Sequence, residues 1–375
     1  MMVTNLPEKA KAKWAEAIAV RDPAKKLQLL KEFYSSFPKH KGTEKLEMSI
    51  KRQIASLEEE LERIKTRRKG SSRSEWAIKK GEFTQLAIVG TLHTSISFFN
   101  LLARSDIKPH EALMRPILGV FEGLDVQFQL IITPFDRGIS EEKLERFMNL
   151  SRNADGILIV LGHEPLDYVK DVIDWFELHN IDIRSDYPKV EIISTPSGGI
   201  RIVGSSDFCS KKDIIDFLSG YSIRNAIIKI TRDSNLDDVE SALFGRILKK
   251  AILISLRRDR VDELKALIPD VIVFDSSINK DVFASYILER LGLIRIYTKG
   301  IGEEPERKPL IIKKGAKAID IAENIHKDLA RFFQYAKIWR KDKLDGVRVG
   351  KNFELKDGDM IEIRTHIESI NTKNK

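Results

Sequence analysis

The stretch from Leu86 to Leu102 restricts the possible folds more than any other part of the chain. An apolar run, Leu86-Ala87-Ile88-Val89, stops at Gly90, a largely polar connection follows, and a second apolar run begins near Phe98. That order predicts a strand, a loop and a helix, the layout in which Gly-x4-Gly-Lys-[Ser/Thr] cradles phosphate. Laid over that pattern, the first glycine is Gly90 and the final hydroxyl is Ser97, but the second glycine is Ser95 and the lysine is Ile96. The lysine supplies a fixed charge to the phosphates, and the glycine lets backbone N–H groups approach them. Isoleucine does neither, and one lost charge-assisted hydrogen bond of roughly 1.5 to 3 kcal/mol weakens binding by about tenfold to over a hundredfold. On its own, the remaining spacing fits any strand-to-helix turn.

A chain of 375 residues is long for one core and predicts two to four domains. Its 42% hydrophobic and 8% aromatic content indicates folded globular structure. The 64 Lys and Arg against 56 Asp and Glu leave a net charge of +8, a modest excess compatible with nucleic-acid contact. One cysteine, Cys209, excludes an internal disulfide framework and a Cys-rich zinc site, which makes a reducing cytoplasm the expectation. The N-terminus has no apolar leader, and no run reaches the eighteen or so apolar residues of a membrane span.

Residues 5–68 read as helices. Pro7 and Pro23 stand at helix starts, and Ile50, Ile54, Leu57, Leu61 and Ile64 form one seam expected to pack on the preceding helices. The basic run Arg63 to Arg73, interrupted by Gly70-Ser71-Ser72, reads as a solvated joint. From Leu86 onward, predicted strands Leu86–Val89, Phe128–Thr133, Gly156–Val160, Ala251–Ser255 and Val271–Phe274 alternate with amphipathic stretches, which describes a doubly wound, mostly parallel α/β sheet. Tyr168 to Leu243 is too long for a loop. It reads as an inserted α+β subdomain with a strand pair turning at Gly198-Gly199 and a strand at Ala226–Ile230. After Leu291, strands at Ile294–Thr298 and Leu310–Ile312, a helix Ala318–Phe333, and strands at Lys337–Trp339 and Met360–Ile363 fit a β-grasp module, with turns at Asp345-Gly346 and Asp357-Gly358. The domain boundaries expected are 1–75, 76–290 with the insertion at about 165–245, and 291–366.

Leu291-Gly292-Leu293-Ile294-Arg295-Ile296-Tyr297-Thr298-Lys299, with Gly302-Glu303-Glu304-Pro305, Ile325-His326-Lys327-Asp328 and Asp357-Gly358-Asp359, resembles a TGS domain of the DRG and Obg-related GTP-binding proteins. Pro188 to Ile192, Ser197-Gly198-Gly199-Ile200 and Tyr221 to Ala226 resemble the subdomain that this family inserts into its GTPase fold, and Pro38 to Leu46 resembles the helical N-terminal region of its prokaryotic members. The resemblance implies a P-loop GTPase-like fold and allows each nucleotide motif to be placed. The Asp-Thr-Pro-Gly of the family falls on Ile132-Thr133-Pro134-Phe135, which removes the metal-ordering carboxylate and the glycine whose N–H meets the γ-phosphate. The switch threonine falls near Ala112-Leu113-Met114, where no hydroxyl exists. Asn-Lys-x-Asp falls on Leu256-Arg257-Arg258-Asp259, which keeps only the carboxylate, and the last base-contact motif falls near Asp275-Ser276.

Gly90, Ser95, Ile96, Ser97, Ile132, Phe135, Leu256 and Asp259 are therefore vestigial nucleotide positions, and no catalytic residue or metal site is expected. Gly90 is read as serving a tight turn and Ser97 as serving the helix start. His93 and Ser95 lack an orienting carboxylate for hydrolase chemistry, and His110, His163, His179 and His326 show no metal-ligand spacing. In the C-terminal module, Lys313, Lys314, Arg331, Lys337, Arg340, Lys341 and Arg348 are interleaved with aromatics and are the RNA-binding candidates. The expectation is a degenerate GTPase acting as a ribosome- or RNA-associated adaptor in the cytoplasm, with the ribosome or structured RNA as its partner and without bound cofactor or membrane. The alternatives are weak binding of GTP and Mg with partner-assisted hydrolysis, or a protein-interaction scaffold working through the TGS domain.

Overall fold

The computed structural model describes residues 7–20, 22–36, 43, 46–47, 50–51, 53–55, 57–58, 61, 76, 78, 83–185, 187–221, 223–257, 261–265, 268, 271–274, 279–341 and 344–365. Ile64, Asp259, Asp275, Ser276 and the basic run 63–73 lie outside them. The chain divides into two compact units, Met1–Ile78 with Glu164–Ala251, and Lys79–His163 with Ile252–Lys375.

In chain order the strands are β1 (Thr84–Val89), β2 (Leu118–Gly123), β3 (Val126–Ile132) and β4 (Gly156–Leu161). The insertion then contributes β5 (Ile181–Asp182), β6 (Val190–Ser194), β7 (Ile200–Val203), β8 (Ala226–Ile230) and β9 (Ile247–Leu248). The chain continues through β10 (Lys250–Ser255) and β11 (Val271–Val273) to the C-terminal strands β12 (Leu293–Thr298), β13 (Leu310–Lys313), β14 (Phe333–Arg340), β15 (Leu344–Val349) and β16 (Asp359–Thr365).

Six strands form the principal sheet in the order β11-β10-β4-β1-β3-β2. β1 pairs parallel with β3 and β4, β10 parallel with β11, and β2 antiparallel with β3 at the edge. Strands β1 and β4 are buried along their whole length, as strands covered on both faces must be, with polar Thr84 and Gln85 at the start of β1. Leu86, Ile88, Leu130, Ile132 and Leu158 face one cluster, which helices Leu92–Ala103 and Lys280–Leu291 close with Phe98, Phe99, Leu102, Phe283 and Ile287. Phe98 and Phe283 meet edge to face with centroids 6.4 Å apart. Ala87 and Val89 point the other way, toward helix Glu141–Asn153, which lies against β1. The sheet is doubly wound, a P-loop GTPase-like α/β fold with a C-terminal β-grasp domain.

The edge strand β2 has no counterpart in the predicted strands. Gly119 and Phe121 turn inward while Leu118 and Val120 are exposed, so the apolar alternation points outward. A Cβ on Gly119 would stand 2.5 Å from the Phe99 ring, which explains why glycine takes an inward position.

In the other unit, helices Glu8–Ala19 and Pro23–Ser36 share one apolar cluster with the insertion. Trp14, Leu30, Phe33, Leu46 and Ile50 pack with Tyr221 and Phe244, and Ile54 and Leu57 lie against them. The helical segment and the insertion therefore build a common core. The turn at Gly198-Gly199 does not close a paired hairpin: β6 pairs antiparallel and β7 parallel with β8, which sits between them. Gly198 and Gly199 adopt φ of 107° and 73°, and the Gly199 N–H donates to Asn225 Oδ1 at 2.8 Å, so this loop is tied to the start of β8.

The C-terminal sheet runs β13-β12-β16-β14-β15, with Ala318 and Ile321 of helix Ala318–Ile325 packed on Ile296, Ala336, Ile338 and Ile361. The predicted helix Ala318–Phe333 is broken at His326, whose extended backbone caps a second short helix, Lys327–Arg331, and Phe333 already belongs to β14. Asp345-Gly346 lies inside β15 rather than in a turn. Gly346 has φ of 63° with the Trp339 ring against it, where a Cβ would approach to 3.3 Å. Asp357-Gly358 does form a turn, with Gly358 at φ 81°. No described helix is long and apolar enough to cross a membrane.

Candidate functional site at the phosphate loop

The helix after β1 begins at Leu92, not near Phe98. Thr91 is its N-cap and accepts the Thr94 N–H on its hydroxyl at 3.4 Å, while the Ser95 N–H donates to the Thr91 carbonyl at 2.9 Å. Leu92 to Ser97, the positions of a phosphate-cradling loop, are thus the first turns of a helix. Ile96 is 4% exposed and packed in the core, Ser95 is buried with its hydroxyl on the Leu92 carbonyl, and Ser97 is exposed within the helix instead of starting it. The apolar side chain at 96 drives this, because a helical turn here adds it to the cluster with Ile88 and Phe98.

Gly90 is needed for close approach: a Cβ would lie 3.0 Å from the Val160 carbonyl oxygen. The Gly90 carbonyl accepts the Phe135 N–H at 2.9 Å, so the N–H at the position that the resemblance assigns to the γ-phosphate is held by the loop itself. The N–H of Leu92 donates to Asp136 Oδ2 at 3.3 Å, which puts this chain's own carboxylate at the helix N-terminus, where partial positive charge favours an anion. Sequence reasoning passed over Thr91 and Asp136. The signal available was Thr91 followed three residues later by Thr94, a capping spacing.

Ile132 and Thr133 are buried, and both the N–H and the hydroxyl of Thr133 donate to the Ile88 carbonyl, at 2.9 and 3.1 Å. Phe135 is half-buried. Ala112-Leu113-Met114 lies in a helix, Pro109–Met114, with Met114 72% exposed. Leu256 is exposed and its N–H donates to the Leu161 carbonyl at 2.9 Å, while Ser255 Oγ donates to the Arg257 carbonyl at 2.6 Å. Arg257 approaches His163 Nδ1 at 3.4 Å. His179 is buried at a helix end with Nδ1 2.7 Å from the Trp175 carbonyl oxygen, and Cys209 is half-buried. Among the described residues no group of three or more His, Cys, Asp or Glu is arranged to hold a metal. This donor set does not suit a triphosphate with magnesium: the apolar positions offer no ligand, and the N–H groups of Leu92, Thr94, Ser95 and Phe135 already have acceptors.

Of the basic candidates in the C-terminal domain, Arg340 turns inward and holds buried Asp359 through two 2.7 Å bonds. Arg331 is exposed over Phe332, and Lys313 and Lys314 are exposed at the end of β13. Lys341 is exposed beyond β14. Lys337 and Arg348 lie opposite one another on β14 and β15.

Residues 294–365 match the TGS domain model. A GTP-binding protein of Methanocaldococcus jannaschii is 30% identical over 364 residues, covering 90% of this chain and 91% of that protein. Developmentally-regulated GTP-binding protein 2 of Mus musculus is 26% identical, covering 87% of this chain and 94% of that protein. The solved YchF GTPase of Schizosaccharomyces pombe is 14% identical with a TM-score of 0.43, covering 78% of this chain and all of that one. The chain belongs to the DRG/Obg-like family of GTP-binding proteins with a C-terminal TGS domain.

Proposed function

We propose that this chain is a pseudo-GTPase of its family, which keeps the fold as a platform, does not run a GTP cycle, and works as a ribosome- or RNA-associated adaptor through its TGS domain. The observation that carries the reading is the helix start at Leu92, where the amides of Leu92, Thr94 and Ser95 are taken by Asp136 and Thr91. A triphosphate has to displace those partners and unwind turns that bury Ile96 before gaining any contact. The adaptor half of the reading is supported by the retained TGS domain and its basic surface.

Titration with a fluorescent GTP analogue, with and without Mg²⁺, tests the first half. The expected result is no saturable, guanine-selective binding in the micromolar range, and metal-dependent micromolar binding overturns it. Co-sedimentation with ribosomes across a salt series tests the second half. Association should fall steeply as salt rises, since phosphate contacts release counterions, and a salt-independent association argues instead for a protein partner.

A further inference from the structure

The outer face of the TGS sheet, opposite helix Ala318–Ile325, is divided in two. At the β12 end it is covered: Arg295 Nη1 reaches the Leu124 carbonyl at 3.5 Å and the Tyr297 hydroxyl reaches Asp125 at 3.5 Å, while Leu293 and Ile311 pack on the principal core. At the β14 and β15 end it is half-exposed. Tyr335, Lys337 and Trp339 alternate there with Ala336 and Ile338, which point into the domain core, so neither aromatic ring belongs to that core. Lys299 Nζ sits 4.9 Å from the Trp339 ring centroid, and the Arg348 guanidinium sits 4.7 Å from that of Tyr335. Lys299, Lys337 and Arg348 have no carboxylate within ion-pairing distance among the described residues, unlike Arg364, which pairs with Glu362 at 2.7 Å.

We infer that this face binds single-stranded RNA, with bases stacking at Tyr335 and Trp339 and the backbone passing along Lys299, Lys337 and Arg348; the inference rests on the adaptor reading and names its ligand. Charge complementarity selects the polyanion, because residues 294–365 hold 17 Lys and Arg against 12 Asp and Glu, most of the chain's net +8. The rings select the unpaired strand. Tyr335 and Trp339 are four residues apart on one strand, about 13 Å, with Lys337 between them. A sheet face with spaced aromatics offers stacking only to bases free of a duplex, whereas a double helix presents its backbone and 2′-hydroxyls. Lys299 and Arg348 now rest on the ring faces. An arriving phosphate draws Lys299 off the indole so that one base stacks there, and a second stacks at Tyr335 on the Arg348 plane that covers its ring.

The test is fluorescence anisotropy of the full-length chain with end-labelled oligouridylate and oligoadenylate of about twelve nucleotides, and with an RNA duplex of equal length, at two salt concentrations. Single strands should bind more tightly than the duplex. Trp339→Ala and Tyr335→Ala should each weaken single-strand binding by about 5- to 150-fold, while Trp339→Phe keeps most of it and shows that the ring matters rather than the fold. Lys337→Gln should lower the salt slope by about 0.7. Unchanged affinity in the two alanine variants, or equal affinity for duplex, overturns this assignment while leaving RNA binding in place. Absence of binding to every probe, in a chain that still unfolds cooperatively, overturns this inference, and the adaptor reading falls with it when ribosome co-sedimentation fails as well.

Discussion

Around Gly90, the amide hydrogens of Leu92, Thr94, Ser95 and Phe135 end on Asp136, Thr91 and the Gly90 carbonyl, all from this chain. On the outer TGS face, Lys299, Lys337 and Arg348 have no carboxylate within ion-pairing distance among the described residues, although Glu362 lies across from Lys337 on β16, and two of the three rest on aromatic rings. A polar group already satisfied inside the fold gains little from a ligand, because binding exchanges one hydrogen bond for another. A cation without a counter-charge gives up at most a ring contact of about 0.5 to 1 kcal/mol when a phosphate arrives. On the proposed function, anion binding belongs to the C-terminal domain, and the contrast can be broken at either end.

The largest effect is expected at the inward cation. Arg340 and Asp359 have side-chain exposures of 17% and 0%, and Asp359 also accepts the Lys356 N–H at 2.8 Å. Asp359→Ala should destabilise the TGS domain by about 3 to 5 kcal/mol in urea unfolding, since it removes both bonds to a half-buried guanidinium and the acceptor of the Lys356 N–H together. A loss below about 1 kcal/mol erases the distinction between structural Arg340 and the outward cations.

The phosphate loop comes next. Ser95→Gly with Ile96→Lys restores the family's residue types at two positions and forces an ammonium into the cluster occupied by Ile96. Stability should fall by about 2 to 4 kcal/mol, and Mg-dependent GTP binding should not return, because Ile132, Phe135 and Leu256 remain. Return of micromolar GTP binding in this variant shows that the helix start is easily reopened and breaks the comparison. A smaller loss, about 1 kcal/mol, is expected for Thr91→Ala, read as a shift in thermal midpoint. No loss there means that Thr91 does not hold the helix end.

Much of this arrangement was legible in the residues. Unbroken apolar runs such as Ile157 to Leu161 become central strands because burial on both faces leaves no alternation to lose. The helix start was misread because the spacing from Gly90 to Ser97 matched a loop pattern, while the local chemistry, a Thr91 cap and an apolar Ile96 three turn-positions before Phe99, favoured a helix. Strand β2 was missed because its inward residues are two glycines and one phenylalanine, a choice dictated by Phe99 and by Ala284, which a Cβ on Gly123 would approach to 2.8 Å. That information resides in neighbours distant in sequence. The same holds for the sorting of basic residues: Arg340 and Lys337 are three apart and similar in charge, and only strand register separates the one bound to Asp359 from the one facing outward.

The smallest effect concerns the boundary between the covered and open halves of the TGS face. Arg295 donates to Asp357 from its backbone N–H at 2.7 Å and from Nη2 at 2.7 Å. Burial pushes the Asp357 carboxyl up, but the hydrogen bonds and charge of Arg295 outweigh it and hold the carboxyl below its ordinary 3.8. With the folded pKa depressed, the unfolded chain binds the proton more readily, so the pair's contribution is present above pH 3.8 and is lost as pH falls through the lower folded value. The Asp357 side chain is 45% exposed, so solvent screening keeps that contribution small. The stability difference between the native chain and Asp357→Asn should be constant from neutrality down to about pH 5 and shrink below it. If the difference instead survives undiminished into strong acid, the ionised carboxylate is not what ties β12 to its turn. The covered half of the face is then held by packing of Leu293 and Ile311 and by the bonds of Arg295 to Leu124 and of Tyr297 to Asp125, without the Asp357 charge.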